Sequence, residues 1–538
     1  MYQFKDCSPV QIRWIHIYLY ILRQFNESNS KIKLDQISFE NLKAASRDLS
    51  VKKKALELIE KKRANKVILK SDYIFLDLLL KSVKKKFSKL EILNSKHGFE
   101  KVIDNDFIDG ICDNEKLVIS EVEKGLEIVK KISSIWHHNM VDVLENISGI
   151  YDERNIINSG FTKDFPGFIN LNINADPLII GEQLAHETTH LVFENHLYFT
   201  NDTKEYIKSI PPIYSIFAKK PRSAELVLHG LYSYTSVYIY WDKLTTLFPL
   251  DKRIKKRKKQ VQIYIDAAIN DLNNVLKPND WVRIKNIYKK ICPIFDHNIW
   301  NITIQKKVIT DTTISRLAKY LNDIEIAEVL LAIEGNKVSR ISKPINCIKD
   351  LMKIIHELPV YYCFSNYIFT SKSDNKINDF QNIISSIYNL DTHINDNLEI
   401  HIYFSKNKNN LINSFILDQK DESATLFKTP KCCQTFFNKH WDSAVKKYNG
   451  DLTMLYFKNG KKTLLTDNLQ YNPIGMYFGL GFCWHFPCSL DCSNTKKIIN
   501  ARMQILRKYK LIFNRLSRIN NYNLEYDPQK GYSLLKIK

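Results

Sequence analysis

Between Glu115 and Ile147 the apolar residues Val118, Val122, Leu126, Val129, Ile132 and Trp136 recur at helical spacing, which predicts one long amphipathic helix. After a turn-rich stretch, Phe168, Ile169, Leu171 and Ile173 are interleaved with asparagine, the pattern of a short strand. Asp176-Pro177 then opens a helix expected to reach about Leu197. A second helix is expected from about Ser223 to Leu244, with Ala224, Leu228, Leu231, Tyr232 and Val237 along it. Residues 1–110 read as mixed but mainly helical, including Tyr73 to Phe87, and helical character persists from 255 to about 335. Past a polar turn at Gly335–Lys343 the register changes, and Val360 to Phe364 and Leu398 to Phe404 read as strands. The expected class is therefore α+β, mainly helical as far as residue 338, with a smaller mixed α/β C-terminal part. The expected segments are 1–110, 111–338 and 339–538.

Composition narrows this picture in three ways. A length of 538 residues exceeds what one core serves, and an apolar fraction of 44% is ample for burial in two or three domains. No apolar run of about 18 residues exists that would span a bilayer. The N-terminus carries Asp6 and Arg13 and shows no small-residue cleavage site, so a soluble cytoplasmic protein is expected. The formal charge of +21 invites a nucleic-acid partner. Yet the excess is scattered lysine in a sequence rich in Asn and Ile, and no zinc-finger or RNA-binding signature accompanies it, so that partner is disfavoured. The densest runs, Lys84-Lys85-Lys86 and the segment from Asp251 to Lys259, are expected to be solvated faces. The oligomeric state is not written in the sequence.

The chemistry concentrates in His186-Glu187-Thr188-Thr189-His190. Histidines four apart lie one turn apart on one helix face, so both imidazoles can reach one cation, with the intervening glutamate beside it as a base or orienting group. The third ligand decides the reaction. His196 stands where metzincin proteases place theirs, but Phe193 occupies the position where those enzymes use glycine to break the helix. On a continuing helix His196 would point about 120° away from the metal face. Glu225 and His229, four apart on the second helix, are the other candidates. Glu225 would complete a gluzincin-like zinc peptidase site with Glu187 as general base. His229 would complete a set of three neutral imidazoles that also suits Fe(II). Spacing does not separate the two.

Three segments carry a resemblance. Asp164-Phe165-Pro166-Gly167, the helix Gln183 to Leu191, and Lys220-Pro221-Arg222 followed by Leu226 to Tyr232 look like those of the HExxH-motif peptide-modification proteins. That family belongs to pathways for ribosomally made, post-translationally modified peptides, and the likeness covers roughly residues 110–330. The resemblance implies His186, His190 and His229 as metal ligands and Arg222 as the group that holds the carboxylate of 2-oxoglutarate. Glu187 is then a proton-handling neighbour. The family more often shows Arg-Pro where this sequence has Pro221-Arg222. It further implies an Fe(II)/2-oxoglutarate enzyme that hydroxylates a side chain of a precursor peptide. A zinc metallopeptidase is the alternative expectation, and a non-catalytic metal-binding protein the third.

Of ten cysteines, five fall in one stretch: Cys432, Cys433, Cys483, Cys488 and Cys492, with His485 among them. Soft thiolates and an imidazole at this density fit a second site holding zinc or an iron–sulfur cluster. Of the adjacent pair Cys432 and Cys433, at most one is expected to ligate. The segment 340–510 is similar to an uncharacterised prokaryotic domain with Pro-x-Cys-Cys and His-x-Pro-Cys-Ser-x-x-Cys elements, a likeness that implies a separate domain and no activity.

Overall fold

A computed structural model describes residues 7–28, 39–63, 75, 78, 91–92, 111–151, 159–163, 165–292, 294–295, 297–300, 309–370, 383–386, 398–418, 427–448, 452–457, 463–527 and 531–537. The Lys84-Lys85-Lys86 run, Asp164 and most of the helix expected from Tyr73 to Phe87 lie outside the described residues. The class is α+β and mainly helical, as expected. No helix among the described residues is long and apolar enough to cross a membrane.

The protein divides into two compact units, and they interleave in sequence. One comprises Met1–Tyr206, Leu228–Asp266 and Val282–Asn301, the other Ile207–Val227, Ala267–Trp281 and Ile302–Lys538. This differs from three consecutive domains, because packing follows long-range contacts that composition along the sequence does not reveal. Residues on both sides of 110 share one core: Trp14, Tyr18, Leu42 and Ala55 pack in the same cluster as Val118, Phe168 and Leu184. Residues on both sides of 335–345 do the same, since Ile326 to Ile333 pack with Ile341, Ile348 and Ile402.

The first unit opens with α1 (Pro9–Ser28), α2 (Phe39–Ala45) and α3 (Leu49–Arg63). A four-stranded sheet follows, in the order β1 (Glu91–Ile92), β2 (Asn146–Ile150), β4 (Phe168–Asn172), β3 (Gly160–Phe161). β2 runs parallel to β4 with Asn146 opposite Phe168, and β3 runs antiparallel to β4. The long helix expected from Glu115 breaks into α4 (Glu115–Ile132) and α5 (Ser134–Val143), and residues 146–150 are β2. Ser133 makes the break: its backbone is extended, and its hydroxyl accepts the Trp136 N–H that opens α5. Gly167 lies just ahead of β4 at φ +80°, where a side chain is strained and a Cβ would meet Val10 at 2.8 Å. Its carbonyl accepts the N–H groups of Glu145 and Asn146, joining the start of β2 to the Pro166-Gly167 turn.

α6 (Pro177–Phe199) is capped by the Asp176 carboxylate with Pro177 in its first turn, as the sequence predicts. It is buried almost all round, and α7 (Asn201–Lys208) follows. α8 (Ala224–Leu247), most of which belongs to this unit, is held to α6 by Tyr240 Oη donating to Leu178 O at 2.8 Å. α9 (Lys252–Leu272) and α10 (Pro278–Ile291), each with its larger part in this unit, complete the helical set.

The second unit begins with the hairpin β5 (Ile213–Ser215) and β6 (Lys220–Arg222). It then contains α11 (Asp311–Leu317), α12 (Asp323–Ile333), β7 (Ser339–Pro344), α13 (Ile345–Ile355), β8 (Tyr361–Thr370), β9 (Ile383–Ser386) and β10 (Leu398–Ser405). Its antiparallel sheet has the order β7-β10-β8-β9, and β8 and β10 are the two strands expected there. α12 carries a capping box between Asn322 and Glu325 and buries every residue from Ile326 to Ile333 against this core. The remaining elements are α14 (Lys408–Asp418), α15 (Lys431–Tyr448), α16 (Ser493–Leu506), α17 (Lys510–Ser517) and a sheet of β11 (Thr463–Leu465), β12 (Tyr522–Asp527) and β13 (Gly531–Lys536).

Candidate metal centre on the HETTH helix

α6 has its long axis buried, so each polar side chain along it needs a partner. Thr189 Oγ1 donates to Ala185 O and lies 2.8 Å from Ser236 Oγ, from which it can accept, and Ser236 in turn meets Tyr288 Oη at 2.7 Å. Glu182 accepts from Trp241 Nε1 at 2.6 Å and from Arg257 Nη2 at 2.6 Å. Arg257 comes from the basic run expected to be solvated. Its guanidinium is instead the ionic partner of a carboxylate that is 2% exposed. Gln183 reaches sideways to the sheet, where its amide accepts the Asn172 N–H at 2.7 Å and donates to the Asn172 carbonyl at 3.3 Å.

His186 and His190 face one another through Nε2 atoms 3.2 Å apart. Two nitrogens bound to one ion at about 2.0–2.1 Å stand about 3 Å apart in either tetrahedral or octahedral geometry, so this pair fits a single cation. His190 turns its other nitrogen to His229, Nδ1 to Nδ1 at 3.0 Å, and His229 Nε2 lies 3.0 Å from Glu194 Oε1. Tautomers follow from the carboxylate at the end of this series. Glu194 accepts the His229 Nε2–H; His229 Nδ1 then accepts the His190 Nδ1–H, and His190 Nε2 is left with a lone pair facing His186. Phe161 stacks on His190 with centroids 4.6 Å apart, and Phe193 packs against His229.

Electrostatics keeps the ring pair neutral, the state that ligates. Burial, with the Arg257 charge behind it, pushes His186 down to about 4. Burial also holds His190 well below the usual range, aided by His186 and His229. Glu187 is driven up to about 8 by burial, against a hydrogen bond from Ser159 Oγ at 2.7 Å. Its carboxylate lies 4.0 Å from His186 Nε2. Burial works against the charge of Glu194, but the hydrogen bond from His229 and the charge and hydrogen bond of Lys163 outweigh it and hold the carboxyl below its ordinary value. The His186 side chain keeps 21% of its surface exposed. A cavity of about 310 Å³ meets the cluster at its other end, with Glu194, Lys163, Arg13 and Tyr198 among its walls.

The structure therefore brings His186, Glu187, His190 and His229 together. It gives His229 a place expected neither from spacing nor from the resemblance, behind His190 and opposite the His186 side. Glu225 sits buried one turn ahead of His229 on α8. Arg222 closes β6, two residues before α8 begins. His196 follows on an unbroken helix that runs to Phe199, so Phe193 does not allow the metzincin turn. Sequence reasoning missed Glu194, Ser159 and Phe161. Glu194 was within reach of it, being four residues past His190 on the same face.

In the second unit Cys432, Cys433, Cys488 and Cys492 come together. Cys483 and His485 lie beside that group: Cys483 Sγ contacts the His485 carbonyl, and His485 Nε2 contacts Thr495 Oγ1 at 3.0 Å.

The sequence matches no protein-family model, and no curated protein matches it. The likeness to the HExxH peptide-modification proteins thus stands on its three motifs.

Proposed function

We propose that the protein is a metal-dependent peptide-modifying enzyme whose ion is held by His186 and His190. The observation that carries this reading is the 3.2 Å separation of His186 Nε2 and His190 Nε2, with the Glu187 carboxylate 4.0 Å away. The resemblance adds the reaction class, in which Fe(II) with 2-oxoglutarate and oxygen converts a C–H bond of a peptide residue to C–OH, releasing succinate and carbon dioxide. In that scheme His190 is oriented by His229 and Glu194, and Glu187 handles a proton beside the ligands. The substrate is a ribosomally made precursor peptide.

One observation favours a second reading, a zinc peptidase. Ser159 fixes the Glu187 carboxylate next to His186, where a general base for hydrolysis belongs. The deciding experiment loads metal-free protein with Fe(II) or Zn(II) under nitrogen. Succinate formation from 2-oxoglutarate on admitting oxygen, lost in His186→Ala, supports the hydroxylase. Cleavage of casein by the zinc form without oxygen, with no succinate from the iron form, overturns it in favour of the peptidase.

A further inference from the structure

Four thiols close on one point in the second unit. Cys432 and Cys433 occupy the first turn of α15, Cys488 lies in the segment leading to α16, and Cys492 is the residue that caps α16. Cys432 Sγ is 3.8 Å from Cys433 Sγ and 3.8 Å from Cys492 Sγ, and Cys433 and Cys492 are 3.7 Å apart. With Cys488 included, all four sulfurs lie within 4.8 Å of one another. A disulfide would bring two of them to about 2 Å. Four sulfurs bound tetrahedrally at about 2.3 Å from one zinc ion stand about 3.8 Å apart.

We propose that Cys432, Cys433, Cys488 and Cys492 form a closed four-thiolate site for a single zinc ion. The spacing selects zinc over an iron–sulfur cluster, which interposes iron and sulfide between its cysteines and holds them further apart than ligands of one ion. The surroundings favour thiolates. Two helices begin at the site, and their N-terminal ends stabilise negative charge. Asn494 Nδ2 donates to Cys432 Sγ at 3.6 Å, and Thr495 Oγ1 lies 3.4 Å from Cys433 Sγ. Thr495 is itself held by His485, which places that histidine outside the ligand set as an orienting neighbour. Both adjacent cysteines ligate, against the sequence expectation, because the first turn of α15 directs both sulfurs to the same point.

All four positions are filled by protein, so the ion has no open site for a reactant and acts as a clamp. It ties the start of α15 to the start of α16, which lie some sixty residues apart in sequence. This inference is independent of the reaction proposed above.

The test uses the full-length protein with His186→Ala and His190→Ala, so that zinc on α6 does not contribute. One zinc per molecule is expected by elemental analysis. Exchange with Co(II) should give sulfur-to-cobalt charge-transfer absorption and intense tetrahedral visible bands. Cys483→Ser should retain the ion, and Cys488→Ser with Cys492→Ser should lose it. Full zinc occupancy in that double variant overturns the proposal, as does stoichiometric iron with acid-labile sulfide. Should the double variant not fold, the cobalt spectrum of the unsubstituted cluster decides: absence of thiolate charge transfer overturns the site.

Discussion

His229 meets His190 through the two Nδ1 atoms, 3.0 Å apart, on the side of the His190 ring turned away from His186. His229 is thus placed to orient the His190 ring. Its removal should weaken metal binding by about 10–100-fold, the range typical of lost outer-shell partners, while His186→Ala and His190→Ala abolish it. Glu194→Gln should fall in the same range as His229→Ala. Competition titration with a chromogenic chelator separates these outcomes; complete loss in His229→Ala would make it a direct ligand.

A Cβ on Gly181 of α6 would collide with Tyr240 Oη of α8 and lie 2.9 Å from its Cζ. Gly181→Ala must displace a buried tyrosine that donates to Leu178 O. Overpacking of this kind costs about 1–3 kcal/mol. The denaturation midpoint should drop, and because α8 carries His229, metal affinity should drop with it. Unchanged affinity alongside lowered stability would show that the two helices shift without disturbing the cluster.

The Glu182–Arg257 pair is worth more intact than its partial exposure at Arg257 suggests. Arg257→Met leaves a buried carboxylate that keeps the Trp241 indole as a donor but loses its balancing charge, which should destabilise the fold by about 3–5 kcal/mol. Adding Glu182→Gln should recover part of the loss. Chemical denaturation of the two variants checks this, and no recovery in the double variant would place the effect in lost packing of the arginine stem.

Lys337 supplies a pH signature for the second unit. It pairs with Glu328 at 2.6 Å, but burial, with the Arg502 charge, lowers it to about 8. The unfolded state therefore holds a proton that the folded state has lost between about pH 8 and the ordinary lysine value near 10.5, so stability contributed at this position rises with pH across that window. The unfolding free energy of the native protein minus that of Lys337→Met should grow from about pH 8 to about pH 10. A constant difference would mean that Lys337 stays charged at its usual value.

Periodicity and capping located the helices that matter. Asp176-Pro177 marks the start of α6, Phe193 allows it to continue, and the strands near 361 and 398 were legible from the change of register past the polar turn at Gly335–Lys343. Two other kinds of feature escaped. Ser133 splits a regular apolar stripe by a local side-chain cap that the stripe itself does not register. Ser159, Phe161 and Arg257 reach the α6 cluster from distant segments, and nothing in their own neighbourhoods distinguishes them from turn or surface residues. The role of His229 was hidden for a third reason: spacing tells which side chains are able to approach, and which ring nitrogen faces which neighbour is settled only by packing and by the carboxylate behind it.

The Gln183 amide continues the strand ladder beyond the end of β3 by bonding both backbone groups of Asn172. This sets the rotation of α6 directly from the sheet edge, on the same face as His190 two turns on. The short connection from Ile173 to Asp176 is then relieved of aiming the histidines, and it becomes a position where extra residues fit at little cost to their alignment.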